Sequence, residues 1–97
     1  MYDPLIERRK QYVTVTAMHY INGFTCPQIL ETEDGAFLIE HIKNVQKLSG
    51  KDGTGADERF LVVLGGREKY LYREKQRWFI IKEKEDYKIF GSSYGYQ

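Results

Sequence analysis

Eight residues between positions 67 and 78 interleave positive charge with aromatic surface: Arg67, Lys69, Tyr70, Tyr72, Arg73, Lys75, Arg77 and Trp78. Cationic side chains neutralise phosphates and flat rings stack on bases, so this mixture is the one that holds single-stranded nucleic acid. Arg67, Lys69, Arg73, Arg77 and Trp78 are the candidate binding residues. Glu68 and Glu74 interrupt the run. Tyr70, Tyr72 and Phe79 also share one face of the predicted hairpin, so a packed aromatic face with a solvated charged rim is the heavier reading.

A second constellation is His19, Cys26 and His41. If Asn22-Gly23 forms a two-residue turn, Cys26 pairs with His19, and a two-residue Asp34-Gly35 turn sets His41 opposite Gln28 on the same face. Zinc accepts Cys and His, but a structural site needs four ligands and a catalytic one an ordered outer layer of partners. The expectation is structural roles for all three, with no metal and no cofactor. The Gly50-Lys-Asp-Gly-Thr-Gly55 stretch suggests a phosphate cradle, yet it lacks the Gly-x-x-x-x-Gly-Lys-Ser/Thr pattern and no helix evidently follows it. A flexible, exposed connector is expected over Ser49 to Asp57. The carboxylates Glu31, Glu33 and Asp34, and Glu83, Glu85 and Asp86, sit beside turns or near the end of the sequence, where solvation keeps them ordinary. There is no Gly-x-Ser-x-Gly elbow. The sequence reads as that of a non-enzyme.

These side chains must be positioned by strands. From Tyr12 to Ile21, Val13, Val15, Ala17, His19 and Ile21 alternate with Thr14, Thr16, Met18 and Tyr20, the period-two pattern of a half-buried strand. Asn22-Gly23 predicts a type I′ hairpin turn into Phe24–Glu33, and Asp34-Gly35 predicts a second into Ala36–Leu48. Pro27 cannot donate to a ladder, so it requires either an outward-facing position or a bulge. The continuously apolar Phe60–Leu64 is expected at the centre of the sheet, covered on both sides. Gly65-Gly66 turns into Arg67–Glu74, and Lys75-Gln76 turns into Trp78–Ile81. That last register sets Tyr72 opposite Phe79, Leu71 opposite Ile80 and Arg73 opposite Trp78, the last a cation–π contact. Asp3-Pro4 reads as a cap and first position of a short helix reaching about Lys10. The predicted fold is all-β, a six-stranded antiparallel meander curled into a small barrel, with that N-terminal helix. Residues 1–11 form an N-terminal segment, 12–90 a single β domain and 91–97 a disordered tail.

Composition agrees. Ninety-seven residues leave room for one core, and 41% hydrophobic against 30% charged residues is a globular balance. Fifteen basic and fourteen acidic residues give a formal charge of +1, so there is no global field to gather polyanions and any nucleic-acid site must be local. A single cysteine, a charged Met1–Lys10 and the lack of any membrane-length apolar run point to a cytoplasmic protein with no membrane partner.

Two stretches carry a resemblance. Pro27-Gln-Ile-Leu-Glu-Thr-Glu-Asp-Gly-Ala-Phe-Leu-Ile-Glu-His-Ile42 and Gly65-Gly-Arg-Glu-Lys-Tyr-Leu-Tyr-Arg-Glu-Lys-Gln-Arg-Trp-Phe79 resemble a family of short, uncharacterised proteins from Gram-positive bacteria, over roughly Tyr12 to Glu83. That resemblance implies a bacterial source and a turn at Lys75-Gln76, where the family often carries Asp-Gly. It implies no activity. The functional expectation is therefore a non-enzymatic module that binds another protein, by strand addition to an exposed edge or through an aromatic patch. Nucleic-acid binding through the Arg67 to Trp78 hairpin is the alternative, and an exposed edge would equally suit a homodimer.

Overall fold

The computed structural model describes residues 9–49 and 52–82. Within them the chain is all-β and antiparallel: β1 (Lys10–His19), β2 (Thr25–Thr32), β3 (Gly35–Leu38), β4 (His41–Lys47), β5 (Glu58–Leu64), β6 (Arg67–Glu74) and β7 (Arg77–Ile81). They form one curled, half-barrel sheet in the order β3-β2-β1-β7-β6-β5-β4. Most of the predicted N-terminal helix, the Lys82–Asp86 charge run beyond Lys82, and the 91–97 tail lie outside the described residues. Lys10, expected at the helix end, already belongs to β1.

The sheet has seven strands because the expected third strand divides. Ile39 and Glu40 hand the chain from one neighbour to another: the Ile39 N–H donates to the Gln28 carbonyl, and the Glu40 N–H donates to the Val63 carbonyl, both at 2.9 Å. The two edge strands, β3 and β4, are thus consecutive in the chain. Ile39 is buried at this bend, so the curl is held from inside by apolar contact as well as by the two hydrogen bonds.

β1 divides its pairing in the same manner. Lys10 to Val13 pair with β7, whereas Thr14 to His19 pair with β2. Its inward residues Val13, Val15 and Ala17 pack against a core of Leu30, Ile39, Phe60, Val62, Leu64, Leu71, Trp78 and Ile80, as the period-two pattern requires. β5 lies one strand in from the edge rather than at the centre, which β7 occupies. Phe60, Val62 and Leu64 are buried, while Leu61 and Val63 on the outer face are only half covered. A continuous apolar run therefore serves here in an ordinary alternating strand.

A smaller core sits on the outer face, where Tyr72 and Phe79 stack with ring centroids 5.1 Å apart beneath Leu48 and Ala56. The cover comes from the Gly-rich segment expected to be exposed, whose described part is packed. Thr54 and Ala56 are buried. Asp52 Oδ1 accepts from the Thr54 amide at 3.0 Å and from its hydroxyl at 2.6 Å, and Thr54 Oγ1 accepts from the Ala56 amide at 3.1 Å. Local side-chain bonds of this type satisfy a buried backbone that no ladder reaches.

The turns refine two registers. At the first, the Gly23 amide donates to the Tyr20 carbonyl and the Tyr20 amide to the Phe24 carbonyl, so the loop holds three residues, Ile21-Asn22-Gly23. Only Gly23 has positive φ, at 92°, which closes a type I turn with a left-handed glycine instead of the expected type I′ pair. At the second, Thr32 pairs with Gly35, and the two-residue loop is Glu33-Asp34. Gly65-Gly66 and Lys75-Gln76 are two-residue turns as expected, with Leu64 opposite Arg67 and Glu74 opposite Arg77. Pro27 meets both of its conditions. The β1–β2 register skips Gln28, and Pro27 lies opposite Ala17 with its missing donor directed away from β1.

Candidate functional site

The first register change separates the proposed metal ligands. Cys26 pairs with Met18, and His19 pairs with Thr25, whose hydroxyl oxygen lies 3.2 Å from His19 Nδ1. His41 is carried onto β4, opposite Val63, and Ile39 takes the place expected for it beside Gln28. Among the described residues no three His, Cys, Asp or Glu side chains gather to hold a metal. One residue of extra loop length is enough to part His19 from Cys26, because side chains alternate faces along a strand.

The basic and aromatic residues of β6 and β7 are divided between the two faces. Trp78 points inward, 8% exposed, with its ring 5.4 Å from Phe60. Arg73 lies opposite it, as expected. Its guanidinium, however, turns to Glu58, with Nε 2.8 Å and Nη2 2.7 Å from Oε1, and donates from Nη1 to the Lys75 carbonyl at 2.7 Å. Cation–π contacts form elsewhere: Arg77 lies 4.4 Å above Tyr12, and Arg59 4.4 Å above Tyr70. Arg67 is exposed at the Gly65-Gly66 turn, and Lys69 is half-buried opposite Val62.

On the outer face a cross-strand row runs Tyr12, Phe79, Tyr72, Arg59, Gln46 from β1 to β4. Lys10 Nζ sits 4.5 Å over Phe79 and 3.9 Å from Glu74. Tyr12 donates its hydroxyl to Glu74 at 3.1 Å. Burial raises the Tyr12 pKa above its ordinary value, helped by that hydrogen bond, and burial also raises that of Tyr72. Both stay neutral phenols at physiological pH. Tyr72 and Phe79 are buried at the middle of this face, and Tyr12, Tyr70 and Gln46 around them are exposed.

Three of the five predicted residues, Arg73, Arg77 and Trp78, do meet in one place. They line a cleft of about 790 Å³ with Val13, Val15, Ala17, His19 and the Lys75-Gln76 turn. The cleft exists because β1 outruns β7. Beyond Val13, opposite Trp78, no described strand pairs with that side of β1. Backbone polarity there follows from two bonds. Tyr20 N–H donates to Phe24 and Lys82 N–H donates to Arg9, so even-numbered residues bond towards β2 and odd-numbered ones towards β7. The N–H and C=O groups of Val15, Ala17 and His19 thus face the cleft with no described strand to meet them. Two bonds hold the opposite wall: the Asp57 carboxylate accepts from the Lys75 amide at 2.7 Å, and the Asp57 amide donates to the Arg73 carbonyl at 2.8 Å.

The other flank of the hairpin opens on a second cleft of about 800 Å³, which includes Cys26, Pro27, Glu40 and His41. There the edge is blunted by Pro27, which has no amide to offer. At the hairpin tip, Tyr20 and Phe24 stack at 5.9 Å and Ile21 is fully exposed. An exposed edge was expected from the sequence, but neither its place at Val15 to His19 among the described residues nor the apolar tip was foreseen. The signal for the tip was present in Tyr20-Ile-Asn-Gly-Phe24, which puts large apolar residues where a turn ordinarily carries polar ones. No helix among the described residues is long and apolar enough to cross a membrane. Comparison with protein-family models, with curated proteins and with solved structures returned no match.

Proposed function

We propose that the chain is a non-enzymatic protein-interaction module that takes up an extended segment of a partner by strand addition to β1. The observation that carries this reading is the Val15 to His19 edge, a row of backbone donors and acceptors that no described strand meets, beside a cleft of about 790 Å³. Main-chain pairing of this type supplies affinity, and flanking side chains supply selectivity. The exposed tip at Tyr20, Ile21 and Phe24 extends the same surface with apolar area, the feature that marks contact sites. A cytoplasmic, bacterial setting belongs to the proposal, on the strength of the single cysteine and the family resemblance.

The test replaces Ala17 with Pro, which removes the central donor of the edge at a position where an outward amide makes proline tolerable. Ala17→Gly is the control. Partners captured by the wild type and by Ala17→Gly should be lost with Ala17→Pro while its circular dichroism stays native; capture of the same set by all three ends the reading.

A second reading takes the cleft as a groove for single-stranded nucleic acid, supported by Arg73, Arg77 and Trp78 lining it together. It predicts an elevated ultraviolet absorbance ratio in freshly purified protein and binding that weakens steeply with salt.

A further inference from the structure

We infer that the occupant of the β1 edge is an antiparallel strand bearing a carboxylate at its C-terminal end. The inference rests on the strand-addition reading above and adds the polarity and charge of the partner.

The cations of the cleft are not spread along it. Arg73, Lys75 and Arg77 all belong to the β6–β7 hairpin, at the end of the free edge where Thr14 follows Val13, and His19 stands at the far end. No Asp or Glu is among the described residues lining the cleft. The Arg73 guanidinium is already occupied by Glu58. Arg77 has its side chain 64% exposed, and its contacts, 3.4 Å to Glu74 and 4.4 Å over the Tyr12 ring, leave guanidinium donors for an incoming group.

Strand direction then decides what arrives there. β7 runs antiparallel to β1 and begins at Arg77. A strand continuing its line along Val15 to His19 would run from His19 towards Val15, and its C-terminus would meet Lys75 and Arg77. A parallel strand would bring its N-terminal end to the same cations, where a free amine would be repelled and an amide would gain nothing. The edge accommodates about five residues at roughly 3.3 Å each. Its inward side chains would rest on Val15, Ala17 and Trp78, so small β-branched residues fit. Nucleic acid also carries negative charge, but it has no amide ladder to pair with this edge. The carboxylate has two sources, the chain terminus itself or a terminal Asp or Glu.

The experiment uses the full chain and N-acetylated pentapeptides, followed by amide hydrogen exchange and chemical shifts at Val15, Ala17 and His19. The first probe is Val-Thr-Val-Thr-Glu with a free C-terminus. The others are its C-terminal amide, Val-Thr-Val-Thr-Gln amide, and Glu-Thr-Val-Thr-Val amide. The free acid should protect the three amides, and losing both carboxylates should weaken binding about fivefold to tenfold, the worth of two exposed charge pairs. The C-terminal amide separates the two sources. Lys75→Glu with Arg77→Gln should abolish the preference, and Arg67→Gln, at the distant turn, should preserve it. Protection by all four peptides with equal affinity overturns the carboxylate inference and leaves strand addition standing. Absence of protection by any peptide at millimolar concentration overturns both. Protection that grows with protein concentration alone assigns the edge to a second copy and likewise overturns the inference, as does an oligonucleotide that shifts the cleft residues when no peptide does.

Discussion

Replacing Trp78 with Ala distinguishes a core indole from a stacking platform. The ring is 8% exposed, packs on Phe60 and belongs to a cluster with Leu30, Val62, Leu71 and Ile80. Its removal deletes transfer energy and leaves a cavity among neighbours held by a curled sheet, an aromatic-to-alanine change that costs about 3–5 kcal/mol. A domain of this size has about 5–15 kcal/mol in total, so the variant approaches the limit of folding. At about 4–8 °C per kcal/mol, the melting temperature should fall by roughly 12–40 °C. Arg77→Ala, exposed and weakly tied, should cost less than about 1 kcal/mol. The assay is thermal and urea unfolding by circular dichroism, with wild-type tryptophan fluorescence reporting Trp78 alone and expected to be blue-shifted and poorly quenched by acrylamide. A Trp78→Ala variant that melts within about 5 °C of the wild type, or an indole freely quenched, would refute the interior placement and revive the ring as a base-stacking surface.

Three further outcomes follow from particular contacts. Burial raises the Tyr72 pKa in the folded state, so its contribution is fully present below the ordinary tyrosine pKa and is lost as pH rises through the raised folded value; in alkaline denaturation Tyr72→Phe should flatten that loss, and an unchanged profile would contradict the assignment. Thr54→Val leaves the buried Ala56 amide without its acceptor and should cost about 1–3 kcal/mol, read as a lower urea midpoint, with faster amide exchange over 52–57. Lys75 holds φ at 58°, a left-handed conformation that glycine adopts freely, so Lys75→Gly should raise the urea midpoint by about 0.5–1 kcal/mol of stability; a loss would show that its side chain contributes more than its backbone costs.

Strand identity was legible wherever a short-range rule governed it. Val13, Val15 and Ala17 point inward because alternation and apolarity coincide. Gly65-Gly66 turns because both residues accept positive φ, at 55° and 76°. The Tyr72–Phe79 and Arg73–Trp78 pairs follow from a two-residue loop. The expected Asn22-Gly23 turn was off by one residue, since Asn22 did not take positive φ, and that step parted His19 from Cys26, while the bend at Ile39 and Glu40 carried His41 onto β4.

The amino-acid sequence by itself determined an antiparallel all-β meander, the places of its four tight turns to within one residue and the alternation within each strand, because these depend on φ preferences and on neighbours a few residues apart. Only the tertiary structure decided which face of the β6–β7 hairpin became the interior. Both faces carry aromatics, and the choice of Trp78 inside and Tyr72 with Phe79 outside rests on β5, β1 and the 52–57 cover, all distant in the chain. Tertiary packing also decided the edge at Val15 to His19. That edge exists because β1 is longer than its partner β7 and exchanges one neighbour for another at Val13, and a relation between two strands more than fifty residues apart is not encoded in the local pattern of either.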